Sequence, residues 1–236
     1  MVSLDSVSKR FGKLEVLKGV SATFAPGKIT AVVGPNASGK TTLLKCILGL
    51  VLPDSGKVQI DGDDALHNPA TRAKIGYMPQ KAQFPDNLQA KELLSWIQDL
   101  RGQKSPLLEK LVAYFQLEPH LGKSLRTLSG GTRQKVSAVL TFLFDPPVLI
   151  LDEPTAGLDP LASSRLKDKI LEEKHHGKAI ILTSHVMSEL EELTDEVLFL
   201  LEGKIVFRGT LADIRERTGE VKLERAIAKL MEGKGL

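Results

Sequence analysis

The chain has 236 residues, 42% hydrophobic and 26% charged, which is the balance of a globular protein with apolar material enough for a core. Its formal net charge of +3 makes no case for a nucleic-acid partner, and its one cysteine, Cys46, excludes an internal disulfide. Met1 to Ser6 carry no basic region leading into an apolar stretch, and the longest apolar run, Val136 to Leu151, is broken by Asp145-Pro146-Pro147. Neither a secretory signal nor a membrane span is therefore expected, and the chain reads as cytosolic or held at a membrane only by a partner.

Short apolar runs alternate with helical patterns, which predicts an α/β fold with a largely parallel sheet. Ile29 to Val33 reads as a buried strand ending at Gly34. A helix follows from near Gly39, with Leu43, Leu44, Ile47 and Leu48 on its inner side and Cys46 as a buried side chain. Between about 85 and 145 the pattern turns helical, over Lys91 to Arg101, Pro106 to Leu117 and Gly131 to Phe144, with no convincing strand. This predicts a helical subdomain inserted into the core. Val148 to Leu151 and Ala179 to Thr183 are further apolar strands, each ending in polar residues as strands do where they deliver chemistry. Glu196 to Leu201, Gly203-Lys204 and Ile205 to Phe207 read as strand, turn and strand. Residues 211–232 are helical and charged, and Gly233 to Leu236 read as frayed. One domain is expected over 1–236: a core of about 1–84 and 146–215, the insertion, and a C-terminal helical extension, 211–236.

Gly34-Pro35-Asn36-Ala37-Ser38-Gly39-Lys40-Thr41, followed by Thr42, matches the phosphate-loop pattern G-x-x-x-x-G-K-[ST] between a buried strand and a helix. Backbone N–H groups of such a loop wrap phosphates, and the helix adds its positive N-terminus. Lys40 is expected to reach the β- and γ-phosphates and the Thr41 hydroxyl to bind Mg²⁺. At Asp152-Glu153 an apolar strand ends in two carboxylates. Alone, such a pair reads as a helix cap or loop; downstream of a phosphate loop it fits a Mg²⁺ ligand, Asp152, and a general base or water-positioner, Glu153. Leu128-Ser129-Gly130-Gly131-Thr132 before a helical pattern fits both an ordinary N-cap and an anion site. The residues themselves leave both uses open.

In order and spacing, the phosphate loop, Tyr77-Met78-Pro79-Gln80, Leu128 to Thr132, Leu149 to Pro154, Ala156-Gly157-Leu158-Asp159 and Thr183-Ser184-His185 resemble an ABC-transporter nucleotide-binding domain across roughly residues 2–215. The resemblance implies a RecA-like P-loop NTPase core with a small antiparallel β part and an inserted helical subdomain. It implies ATP and Mg²⁺ as cofactors and ATP hydrolysis as the activity. It places an adenine-stacking aromatic at Phe11, the glutamine that contacts Mg²⁺ or the attacking water at Gln80, a dimer-interface aspartate at Asp159, and the histidine that reaches the γ-phosphate at His185. Ser129 and Gly131 match the residues that contact ATP bound to the opposite protomer, which implies two composite sites in a head-to-tail dimer, read as a homodimer. A transmembrane permease subunit would sit on the helical part and the Gln80 region, placing the chain peripherally on the inner face of the cell membrane.

Two positions depart from the family pattern. Ala37 stands where glycine is usual, at a cost of about 1–2 kcal/mol if φ is positive there, and Thr132 stands where glutamine is usual. The wording of residues 128–160, with Thr183 to Leu193, is similar to ATPases of transporters that assist nitrous oxide reductase maturation. The main competing reading is a soluble ABC ATPase such as an iron–sulfur assembly ATPase. A DNA-repair ABC ATPase would show sustained heptads, a translation factor two such domains, and a non-hydrolysing module the loss of Glu153 or His185.

Overall fold

In the computed structural model, which describes residues 1–231, the chain begins with a long hairpin of β1 (Val2–Phe11) and β2 (Leu14–Phe24). β3 (Ile29–Val33) leads through the phosphate loop into α1 (Lys40–Ile47). β4 (Ser55–Ile60) and β5 (Asp63–Asp64) return to the hairpin, giving an antiparallel sheet of order β2-β1-β4-β5. After α2 (Pro69–Arg72) and β6 (Ile75–Met78) come α3 (Ala90–Arg101), α4 (Leu108–Tyr114) and α5 (Gly130–Phe142). The chain then alternates through β7 (Val148–Asp152), α6 (Pro160–His175), β8 (Ala179–Thr183) and α7 (Met187–Leu193). It closes with β9 (Glu196–Leu201), β10 (Lys204–Gly209), α8 (Leu211–Thr218) and α9 (Leu223–Met231).

The second sheet has the order β10-β9-β3-β8-β7-β6, parallel except for the β9–β10 hairpin. Its central strands read as unbroken apolar runs because both faces are covered. Their alternation divides two cores. Ala31, Leu149, Ile180 and Phe199 face the helices α3 to α9, whereas Val32, Ile150, Ile181 and Leu198 face α1 and the antiparallel sheet. Cys46 lies in the second core, where burial pushes its thiol up to about 11, so it is inert apolar filling as expected.

The predicted helices are present, with ends no more than three residues from those expected. The strand-like pairing among the described residues of 85–145 is one isolated bridge, Gln89 with Ser124. The turn between β9 and β10 falls one residue earlier than expected, at Glu202-Gly203. Both residues have positive φ (48° and 79°), as a two-residue hairpin turn requires. The charged C-terminal stretch is helical as expected and forms two helices. Gly219, at φ 68°, ends α8 in a left-handed cap, and α9 then lays Leu223, Ala226, Ile227 and Leu230 into the core. The fraying expected of Gly233 to Leu236 falls outside the described residues. Among the described residues no helix is long and apolar enough to cross a membrane.

Candidate functional site

A parallel sheet sends all its strands' C-terminal ends to one edge, where side chains distant in sequence can meet. Here β3, β8, β7 and β6 are neighbours in that order, and each is followed within a few residues by a polar side chain singled out from the sequence. Beyond β3 lies the loop carrying Lys40, beyond β8 His185, beyond β7 Glu153, and beyond β6 Gln80. They line one cleft of about 510 Å³ together with Asp152 and residues 36–42, including Asn36, Ala37, Ser38, Thr41 and Thr42.

The phosphate loop is tightly held. A Cβ on Gly34 would lie 2.1 Å from the Leu200 carbonyl oxygen, and one on Gly39 2.9 Å from that of Val16, so both positions admit only glycine. The backbone N–H of Gly203, in the β9–β10 turn, donates to the Ser38 carbonyl (3.0 Å), bracing the loop from outside. Ser38 Oγ is buried with no partner among the described residues. Lys40 Nζ donates to the carbonyls of Gly34 (2.7 Å) and Pro35 (2.8 Å). Burial pulls its ammonium below the ordinary lysine value, opposed by the carboxylates of Glu153 and Asp152.

Ala37 has φ 63°, so the departure from glycine places a Cβ in the left-handed region. That conformation costs alanine about 1–2 kcal/mol, and glycine's greater freedom in the unfolded chain takes back about 0.4–1 kcal/mol. Ala37→Gly is therefore expected to stabilise the protein by about 1 kcal/mol and to leave turnover unchanged or raised. Thermal melts and an ATPase assay check this; a lower melting temperature or a large loss of turnover would contradict it.

At the other wall, the register pairs Asp152 with Thr183, and the Thr183 hydroxyl donates to Asp152 Oδ1 at 2.6 Å. The same hydroxyl accepts from the Glu153 N–H (3.1 Å), which also donates to the Thr183 carbonyl. This holds Glu153 at φ 48°, a strained conformation of the kind that gathers at functional sites. Its carboxylate receives Gln80 Nε2 on Oε2 (2.8 Å) and faces His185 Nε2 across 3.1 Å from Oε1. Gln80 and Glu153 are 73 positions apart in the chain, so only the fold joins them. Chemically, a carboxylate oriented by an amide and an imidazole beside a desolvated ammonium is equipped to direct water at a phosphoryl group.

Ser129, Gly131 and Asp159 line a separate hollow of about 400 Å³. Ser129 caps α5 by accepting from the Thr132 N–H (3.2 Å), and Thr132 Oγ1 lies 2.9 Å from Ser129 Oγ, which gives the unusual threonine a hydroxyl contact to the cap. A Cβ on Gly131 would lie 2.9 Å from the Gly157 carbonyl. Asp159 caps α6 through the Ala162 N–H (2.8 Å), the bond that chiefly holds its carboxyl below the usual range, and Lys135 of α5 lies 3.5 Å away.

Phe11 is half exposed at the tip of the first hairpin, with Lys9 Nζ 5.4 Å from its ring centre. Among the described residues the cleft is lined at this end by Leu14 and Val16, and Leu14 is Phe11's register partner. The sequence reading missed both, since apolar residues in a β-hairpin look like core. It also missed Glu189, a buried carboxylate on α7 that accepts from Thr155 Oγ1 and, at 2.8 Å, from Ser184 Oγ, anchoring the chain next to His185. An acid on a charged helix face gives no sign of such burial.

A family model described as ABC transporter matches residues 17–156. The ABC transporter ATP-binding protein NatA of Bacillus subtilis (strain 168) is 32% identical over 226 residues, covering 92% of this chain and 92% of that one. A solved structure of the ATP-binding subunit of an ABC transporter superimposes with a TM-score of 0.91 at 31% identity, over 98% of this chain and 99% of the other. An ATP-binding cassette solved as a dimer in a post-hydrolysis state with ADP and Pi shares the fold, with a TM-score of 0.78 at 24% identity over 89% of this chain and 98% of its own. The family match covers more than half of the chain and the Bacillus relative nearly all of it: the chain belongs to the ABC transporter family, as an ATP-binding, ATP-hydrolysing subunit.

Proposed function

We propose that two copies of this chain close head to tail around two ATP molecules and hydrolyse them to drive a separate transmembrane permease from the cytoplasmic face of the membrane. The observation that carries this reading is a division within the chain. Lys40, Gln80, Asp152, Glu153 and His185 share one cleft, whereas Ser129, Gly131 and Asp159 line another hollow. A helix N-terminus with an exposed serine is a ready phosphate contact, and a partner subunit can present it to the open side of the cleft. A cassette of the same fold has been solved as a dimer, which supports the pairing of two such chains.

The cleft suits a nucleoside triphosphate with Mg²⁺. Among the described residues Ser38 Oγ is a buried hydroxyl without a partner, and Lys40 is a cation already stripped of much of its water. Thr183 occupies Asp152 Oδ1 and Glu153 engages the Gln80 amide nitrogen, which leaves Asp152 Oδ2, Gln80 Oε1 and the Thr41 hydroxyl as the oxygen donors a hard cation needs. Mg²⁺ bound there would neutralise charge on the β- and γ-phosphate oxygens. Glu153 orients the attacking water and accepts its proton, Lys40 and His185 stabilise the charge that develops, and Phe11 stacks on the base beside Leu14 and Val16.

In this reading 1–84 and 146–215 form the nucleotide-binding core, and 85–145 a helical subdomain on which the permease sits. As for cargo, the wording around Ser129 and Asp159 supports a permease of nitrous oxide reductase maturation. The relatives reported above are transporter subunits, which favours a transporter over a soluble assembly ATPase. Membranes holding the tagged chain can be solubilised and the co-purifying proteins identified by mass spectrometry. One integral membrane protein in stoichiometric amount is expected; recovery of soluble partners only would overturn the permease assignment and favour the assembly ATPase.

A further inference from the structure

Gln134, on the second turn of α5, is a buried amide (3% exposed). Its Nε2 donates to two backbone carbonyls from different parts of the chain, Pro79 at 3.2 Å and Pro154 at 3.4 Å. Pro79 immediately precedes Gln80 and Pro154 immediately follows Glu153, and the side chains of Gln80 and Glu153 are themselves hydrogen-bonded at 2.8 Å. An NH₂ group has two protons and can serve two carbonyls at once; a carboxylate or a thioether of the same length can serve neither. The helix carrying this amide begins at Ser129 and is packed onto the Gly157 backbone through Gly131, with no room for a methyl group between them.

We propose that Gln134 is a positioning residue. It clamps the two segments that present Gln80 and Glu153, and so ties the catalytic pair of one site to the helix whose N-terminus serves the other. This rests on the reading of Glu153 as the water-orienting carboxylate. Gln134 lies outside the lining of the phosphate-loop cleft, so its effect falls on turnover rather than on nucleotide affinity. Movement of α5 when Ser129 engages a phosphate is passed through this amide to the Pro79 and Pro154 carbonyls, which makes hydrolysis at one site responsive to occupancy of the other.

The test uses the purified full chain with Gln134→Leu, Gln134→Glu, Gln80→Ala, the Gln80→Ala/Gln134→Leu pair and Glu153→Gln. Gln134→Leu is expected to lower kcat by about tenfold, the worth of a lost buried hydrogen bond, with KM for ATP little changed. The Gln80→Ala/Gln134→Leu pair should lose clearly less than the two single losses combined, because the Pro79 arm of the clamp acts through Gln80 and only the Pro154 arm, through Glu153, is left to lose. Gln134→Glu sets a carboxylate against two carbonyls at neutral pH and regains a donor when protonated. Its kcat relative to the unmodified chain should therefore rise as pH falls, while its circular dichroism stays constant. A normal kcat in Gln134→Leu, or additive losses in the pair, would overturn the clamp. Undiminished turnover in Glu153→Gln would instead overturn the catalytic reading beneath it.

Discussion

Glu153→Gln is expected to lower ATP turnover by roughly 10²–10⁴-fold while ATP binds at least as well. The amide keeps the size of the side chain and still offers an oxygen to Gln80 Nε2, now 2.8 Å from Oε2. It cannot take a proton from water, and it removes a negative charge that faces Lys40 across the cleft. With hydrolysis blocked, ATP should accumulate between Lys40 of one copy and Ser129 of the other, giving a dimer that forms with ATP and separates with ADP. Adding Ser129→Arg should abolish that dimer, since a long cation would fill the hollow where α5 begins. Light scattering with each nucleotide at low salt reads this out. A monomer under every condition would exclude the symmetric sandwich and point to a heteromeric pair.

Lys40→Ala should remove most of the turnover and weaken nucleotide binding by about 10–100-fold, the worth of a lost charge-assisted hydrogen bond. The fold should survive. The ammonium's bonds are to two carbonyls of its own loop, and the loop is braced independently by Gly203 and by the close packing of Gly34 and Gly39. Nucleotide titration, with circular dichroism as the control, checks both statements. Unchanged turnover would contradict the assignment of this cleft as the phosphate site.

Local chemistry was legible before any fold was known. The phosphate loop is contiguous, so its glycines, Lys40 and Thr41 declare themselves within eight positions. The central strands were equally plain, because a sheet covered on both faces demands apolar residues at every position of Ile29 to Val33 and Ala179 to Thr183 except the threonines. Convergence was not legible from the residues themselves. That Gln80, Glu153 and His185 touch follows from β6, β7 and β8 lying side by side and parallel, an order set by crossovers and not by local pattern. Family resemblance named those three; it did not show Thr183 holding Asp152, Gln134 spanning two prolines, or Glu189 buried behind His185.

The sign of φ at Ala37 likewise depended on the assembled chain, because alanine prefers the right-handed region until the surrounding structure imposes otherwise. Hydrophobic period, turn residues and the phosphate loop are properties of neighbours along the chain and could be read from it directly. Which polar groups face one another in the cleft, and that Ser129, Gly131 and Asp159 line a hollow apart from it, are properties of neighbours in space. Those emerge with the fold, because hydrogen bonds between residues far apart in the chain exist only once the strands have been brought to one edge.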